Sequence, residues 1–149
     1  MATNVVYELN DLVEPSKDGD KGFRKAAEDA NGAQLKSLFA SRADDCARGA
    51  RELQDTIQQL GGKPDTGGSV TGALHRGWVD LKSAVSSRSD HEILADCEKG
   101  EDAAKKSYHD ALEKDLPADV RAIVERQYQG VQQNHDRIRD LRDQYAARK

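Results

Sequence analysis

Residues 31–62 read NGAQLKSLFASRADDCARGARELQDTIQQLGG and contain the clearest helical pattern of the chain. Mostly apolar residues recur in this stretch at intervals of three or four, which is the spacing of residues on one packed face of a helix. Its members are Leu35, Phe39, Arg42, Cys46, Ala50, Leu53, Ile57 and Leu60. Asn31 and Gln34 have the form of a capping box, and Gly61-Gly62 supplies a stop. The stretch predicts a helix over about residues 32 to 60.

The segment before this helix has the same spacing. Its apolar seam is Val5, Leu9, Leu12, Phe23, Ala26 and Ala30, with Ser16 and Gly19 at the intervening positions. Pro15 lacks a backbone donor and crowds the preceding turn. We therefore expect a first helix that is kinked or locally broken near Pro15, with its phase preserved. The junction with the second helix is so short that the two must run antiparallel.

Two more long helices follow. Ser89 and Glu92 form a second capping box. The helix that it opens places on one stripe Ile93, Leu94, Cys97, Glu101, Ala104, Tyr108 and Ala111. Leu116-Pro117 then turns the chain. The last helix carries Val120, Val124, Gln127, Val131, Asn134 or His135, Ile138, Leu141 and Tyr145.

The segment 61–89 joins the second helix to the third and is far longer than a hairpin needs. It holds a shorter helical pattern of its own, so we expect a helical crossover that returns the chain along the bundle. The sequence thus predicts one all-α domain over residues 1–149, a four-helix bundle with a long crossover between helices 2 and 3.

Composition narrows the classes of partner. The net charge is −4 and the bases are spread along the chain, so no basic stripe indicates a nucleic-acid partner. Neither a signal peptide nor an apolar run long enough for a membrane span is evident. We expect a cytoplasmic protein without a membrane partner. Cys46 and Cys97 lack a Cys-x-x-Cys partner, which favours reduced, buried thiols.

Several motifs resemble an uncharacterised bacterial family of ferritin-like four-helix bundles, a domain of unknown function. They are Asp18–Glu28, Gly72–Lys82 with its Leu-His-Arg-Gly-Trp core, Cys97–Ala103, Leu116-Pro117, Gln127-Tyr128 and His135–Arg139. The resemblance covers essentially the whole chain. It implies a ferritin-like fold with one long crossover, and no particular reaction. Because ferritin-like bundles commonly self-associate, the resemblance also implies a homo-oligomer, for example a dimer. No other protein partner is indicated.

Helical rise places several polar residues at one level of the bundle. These are Asp20, Arg42, Glu101, Asn134 and His135. One interpretation is structural, because buried charges must be paired: Arg42 neutralises Glu101 or Asp20, and Asn134 or His135 completes the cluster. This interpretation requires no cofactor.

The other interpretation is a reduced metal centre in which Asp20, Glu98, Glu101 and His135 hold iron or manganese. A ferritin-like di-metal centre uses two Glu-x-x-His pairs, and none occurs here; the nearest relic is Gln132–His135. The guanidinium of Arg42 would also repel an ion. The residues therefore favour a non-enzymatic stress-related or interaction module with a degenerate metal centre. The alternative is an iron- or manganese-binding protein with oxidase or iron-handling activity.

Overall fold

The computed structural model describes residues 4–63, 78 and 89–147. Over these ranges the chain forms four α-helices, which confirms the all-α bundle. We number them α1 (Val5–Asp29), α2 (Ala33–Gln59), α3 (Asp90–Leu112) and α4 (Ala118–Ala147). None of the four combines the length with the apolar character that a membrane-spanning helix requires.

Contacts between the helices fix their directions. α1 and α2 form an antiparallel hairpin, in which Lys36 Nζ donates to the Ala27 carbonyl at 3.0 Å. The start of α3 lies beside the start of α2, because the Asp90 carboxylate accepts from the backbone of Gly32 at 3.0 Å. α2 ends at Gln59, at the opposite end of the bundle. The connection from α2 to α3 must therefore span the bundle, as the predicted long crossover requires. The helix predicted within this crossover lies outside the described residues.

Pro15 lies inside α1, which continues without a break from Val5 to Asp29. Of the two expected outcomes at Pro15, a local break is therefore wrong. The side chain of Ser16 contributes at this point, because its Oγ lies 3.2 Å from the Leu12 carbonyl, one of the two acceptors within reach of its single proton. Burial of Leu12, Val13 and Phe23 on both sides of the proline outweighs its local cost.

The N-termini of α2 and α3 differ in how they are capped. The capping box of Ser89 and Glu92 is confirmed at the start of α3. The capping box predicted from Asn31 and Gln34 is wrong, since the N-cap of α2 is Gly32 and no side chain of its own caps it. A carboxylate from another helix instead binds the backbone just before the first turn of α2. Asp90 accepts from the backbone N–H of Asn31 at 2.7 Å as well as from Gly32, and so satisfies donors at the α1–α2 turn.

The core has two apolar clusters, one toward each end of the bundle. The first contains Leu12, Leu53, Tyr108 and Val124, and the second contains Phe23, Phe39, Ile93 and Ile138, each with its neighbours. Between them the interior becomes polar. On α4, where the sequence left Asn134 and His135 as alternatives, the buried residue is His135.

Trp78, from the crossover, is 3% exposed and lies between α1 and α3. A Cβ atom added to Gly22 would lie 2.4 Å from Cε3 of its indole, and one added to Gly100 would lie 2.0 Å from Cε2. The two glycines therefore form a slot that only the bare helix backbone can provide. Phe23 packs edge-on against the same indole, with ring centroids 5.0 Å apart. Trp78 thus anchors the crossover to the bundle.

Candidate functional site

The centre of the bundle is held by an ion pair between α2 and α3. Arg42 Nη2 lies 3.5 Å from Glu101 Oε2, and the Glu101 side chain is only 2% exposed. The Arg42 guanidinium also lies 6.0 Å from the Phe23 ring centroid. Its Nε is buried with no hydrogen-bond partner among the described residues. The pair brings together two of the residues that the sequence placed in one polar layer.

Burial and charge oppose each other at Glu101. Desolvation raises the pKa of Glu101, and the nearby Arg42 guanidinium lowers it without cancelling that rise. Burial acts on Arg42 in the opposite direction, but the charge of Glu101 and its neighbours leaves the pKa of Arg42 raised. Each charge is therefore tolerated in the interior through the other.

A hydrogen-bond chain crosses the bundle next to this ion pair and touches every helix. Ser16 Oγ on α1 lies 3.2 Å from the Tyr108 hydroxyl on α3. That hydroxyl donates to Gln127 Oε1 on α4 at 2.7 Å, and Gln127 Nε2 donates to Glu52 Oε1 on α2 at 2.7 Å. Arg126 pairs with the other oxygen of Glu52. Burial raises the pKa of Tyr108 to about 12, so the hydroxyl keeps its proton.

A cleft of about 470 Å³ opens beside these groups. Each of the four helices contributes one glycine to its wall: Gly19, Gly49, Gly100 and Gly130. The described residues of the wall include three carboxylates and no histidine. Each carboxylate already faces an arginine: Asp45 pairs with Arg48, Glu52 with Arg126, and Glu101 with Arg42. A metal ion in the cleft would need carboxylates that are free to bind it, and these three carboxylates are already paired with arginine side chains.

The two cysteines are buried free thiols. Burial raises the pKa of Cys46 to about 12 and the pKa of Cys97 well above its usual range. A Cβ atom added to Gly19 would lie 2.6 Å from Cys46 Sγ, so this sulfur fills the space left by a glycine. Both thiols act as apolar core groups in this state, because only a thiolate is a strong nucleophile.

Two other acidic residues of the predicted layers, Asp20 and Glu98, have arginine partners of their own instead of Arg42. Asp20 is partly exposed and bonds Arg24 of its own helix, with Arg24 Nη2 2.5 Å from Asp20 Oδ1. Glu98 pairs with Arg142 and lies 3.7 Å from His135, from Glu98 Oε2 to His135 Nε2. Asn134 is partly buried beside Glu101 and helps to lower the pKa of that carboxyl, while its Nδ2 is buried with no hydrogen-bond partner among the described residues. Glu98 and His135 thus meet, while Asp20 does not join them.

Sequence reasoning missed Asp102, whose Oδ1 lies 2.6 Å from His135 Nε2. A signal was available, because Asp102 follows Glu98 by four residues and therefore shares its face of α3. The chain of Tyr108, Gln127 and Glu52 was missed as well. Tyr108 and Gln127 read as members of apolar stripes, and no local pattern indicates that their polar ends meet.

Comparisons with known proteins agree on the fold. A family model described as "Domain of unknown function (DUF2383)" matches residues 4–114. No curated protein matches the chain. Among solved structures, a two-domain protein from Anabaena variabilis, with DJ-1/ThiJ/PfpI-like and ferritin-like domains, matches with a TM-score of 0.77 and 16% identity. The match covers 95% of this chain and 40% of that one, so the chain spans less than half of that protein.

Two single-module relatives are covered almost fully. The bacterioferritin-related protein of Bacteroides fragilis, described as a dodecameric thioferritin, has a TM-score of 0.75 and 16% identity over 97% of this chain and 86% of its own. A DPS protein from Vibrio cholerae O1, described as a member of a superfamily of ferritin-like diiron-carboxylate proteins, has a TM-score of 0.72 and 16% identity over 95% and 97%. The architecture is therefore that of a ferritin-like bundle.

Proposed function

We propose that this chain, which belongs to the DUF2383 family of unknown function, is a non-enzymatic ferritin-like module that works by association with other protein chains. Copies of itself are the first such partner. The module keeps the bundle of its structural relatives and uses the centre of that bundle for stability. In this role the described interior holds paired charges where an oxidase would hold metal ions.

The observation that carries the proposal is the Arg42–Glu101 pair. A di-metal centre in such a bundle draws on a carboxylate from two helices and on Glu-x-x-His pairs from the other two. Here a buried guanidinium lies 3.5 Å from the one deeply buried glutamate of the cleft. A fixed positive charge at that distance opposes a divalent cation. The donor set at the centre therefore does not fit a di-metal cofactor.

Support for association comes from the relatives. The Bacteroides fragilis protein is described as a dodecamer and shares the fold over nearly the whole chain. A dimer is the simplest closed assembly that a helical face can form. We expect sedimentation velocity at micromolar concentration to give a species heavier than one chain. A monomer over the whole accessible concentration range would contradict this part of the proposal.

The alternative function is iron or manganese binding with oxidase or iron-handling activity. The description of the Vibrio cholerae relative as ferritin-like diiron-carboxylate and the meeting of Glu98 with His135 favour it. For Asp20, Glu98, Glu101 and His135 to share an ion, three of them would first have to leave an arginine. The partners to be released are Arg24, Arg142 and Arg42.

The deciding experiment is an Fe(II) oxidation assay with protein purified without chelator. We expect the wild type to oxidise Fe(II) no faster than buffer, and His135→Ala to behave identically. Metal analysis after gel filtration, in parallel, gives the amount of iron and manganese retained. Protein-dependent oxidation that is lost in Glu101→Gln would contradict the non-enzymatic proposal and establish the alternative.

A further inference from the structure

Three side chains of the types that bind metal ions lie close together where α3 and α4 meet. Glu98 and Asp102 are four residues apart on one face of α3, and His135 faces them from α4. His135 Nε2 lies 2.6 Å from Asp102 Oδ1 and 3.7 Å from Glu98 Oε2. One atom from each side chain can therefore reach a common point.

His135 supplies an independent observation. Its residue is 7% exposed, and its Nε2 is fully buried with no hydrogen bond among the described residues. Asp102 Oδ1 is close enough for a hydrogen bond, but the two atoms are not aligned as one. A buried ring nitrogen that lies this close to two carboxylates and makes no hydrogen bond is what a shared cation would explain.

The second ring nitrogen of His135, Nδ1, has a carboxylate neighbour, as the second nitrogen of metal-binding histidines commonly does. His135 Nδ1 lies 3.3 Å from Asp136 Oδ1. When Nδ1 carries the proton and donates it to this carboxylate, the lone pair of Nε2 faces Glu98 and Asp102. Histidine ligands of metals commonly donate their second ring N–H to a carboxylate in this way. Asp136 therefore acts as a positioning residue for the ring.

Charge and access favour a cation. Arg142 occupies Oε1 of Glu98 and leaves Oε2 on the side of His135. Two carboxylates with one arginine leave a net negative charge at the cluster. Asp102 is 61% exposed, so an ion can enter from solvent and keep water at its remaining positions. Imidazole nitrogen with carboxylate oxygen suits first-row transition ions better than calcium or magnesium.

We propose that Glu98, Asp102 and His135 bind one divalent first-row transition-metal ion at the outer side of the α3–α4 pair. This site is separate from the cleft and does not depend on the proposed function. The chain contains a comparison within itself, because His109, Asp110 and Glu113 offer the same ligand types. All three are exposed and lie at the C-terminal end of α3 or just after it, so this group contains no buried ligand.

The test is titration of metal-free protein with Zn²⁺ against a chromophoric chelator. We expect one tight Zn²⁺ per chain in the wild type and in His109→Ala, the matched control. Asp102→Asn and His135→Ala should each weaken this binding by at least about tenfold, and Asp136→Asn by about 10- to 100-fold while leaving the stoichiometry unchanged. Asp102 is exposed, so its substitution tests binding without threatening the fold.

Titration with Co²⁺ adds a spectroscopic readout, since the visible bands of bound Co²⁺ report nitrogen and oxygen ligation and should disappear in His135→Ala. Unfolding temperatures of the metal-free variants show that each is folded. Equal Zn²⁺ affinity in wild type, Asp102→Asn and His135→Ala would overturn the proposal, and so would loss of the tight site in His109→Ala. Fe(II) oxidation is measured separately, so failure of the proposed function and failure of this site give different results.

Discussion

Arg42 and Glu101 are each other's main counter-charge in the interior. Removal of one partner leaves a buried, uncompensated charge, whereas removal of both leaves an apolar contact. We expect Arg42→Leu to lower the free energy of unfolding by about 3–5 kcal/mol. The double substitution Arg42→Leu, Glu101→Leu should restore most of that loss. Urea denaturation of the four proteins of this cycle gives the coupling energy, and additive effects would contradict the pairing.

The same pair predicts a pH dependence. The folded pKa of Glu101 is raised from 4.5, and loss of Arg42 removes the main cause that lowers it. A raised folded pKa means that stability is greatest below the unfolded value and decreases as pH rises through the folded value. Arg42→Leu should therefore be less destabilised at about pH 5 than at about pH 8. Thermal unfolding over this range measures the difference, with Arg42→Leu, Glu101→Leu as the control that lacks the Glu101 carboxyl.

Part of the candidate site could be predicted from single residues of the sequence. The position of Arg42 on an otherwise apolar seam, and that of Glu101 on another, identified a charged pair to be neutralised. Asp20 was placed with them by helical rise alone, which fixes height and leaves rotation about the axis open. Its partner is Arg24, four residues along the same helix. A local i to i+4 pair satisfies Asp20 without burial.

At the scale of the helices, glycine residues allow α1 and α3 to pack around a side chain of the crossover. Gly22 on α1 and Gly100 on α3 leave the slot for Trp78, and glycine inside a helix costs about 1 kcal/mol relative to alanine. That cost is offset by burial of a large aromatic side chain. The sequence places both glycines on helices that need none for a turn, but only the position of Trp78 explains why they are there.

A matched pair of substitutions tests this slot. Gly100→Ala places Cβ 2.0 Å from the indole and should destabilise the fold by about 1–3 kcal/mol. Gly130→Ala meets nothing within 4 Å and should stabilise the helix by up to about 1 kcal/mol. Chemical denaturation compares the two. The slot would be disproved if Gly100→Ala were as stable as Gly130→Ala.

At the scale of the whole molecule, the chain of Ser16, Tyr108, Gln127 and Glu52 links all four helices at one level. It spans the cleft between α2 and α4, where Gln127 also donates to the Gly49 carbonyl at 3.3 Å. The network therefore fixes the two hairpins at a defined separation. Its members are polar groups that would be costly to leave unsatisfied in the interior.

Tyr108→Phe removes one hydroxyl from the middle of this chain and keeps the ring. We expect a loss of about 1–2 kcal/mol, because Ser16 and Gln127 each lose a partner in a buried setting. Tyr128→Phe is the control, since its ring stacks on Tyr108 at 6.5 Å and no hydroxyl bond of Tyr128 is part of the chain. Equal stability of the Tyr108→Phe and wild-type proteins would show that water replaces the hydroxyl without cost.

The four helices and their order were predictable because each long seam has one period and because several helix ends carry a signal, namely Gly61-Gly62, the Ser89–Glu92 capping box and Pro117. The connectivity followed from the length of segment 61–89. What could not be predicted is contact between distant residues: the Asp90 carboxylate that binds the backbone of the α1–α2 turn, the cleft, and the meeting of Glu98, Asp102 and His135. These depend on the rotation of each helix about its axis, which periodicity determines only to within a face.

Trp78 has one more consequence, for the order in which the chain folds. The α1–α2 and α3–α4 hairpins are made of contacts between neighbours in sequence and can form early. The slot for the indole exists only after α1 and α3 have met, because Gly22 and Gly100 belong to different hairpins. Trp78 is the only tryptophan of the chain. The rate at which the indole of Trp78 becomes buried therefore reports the step in which the α1–α2 and α3–α4 helix pairs join.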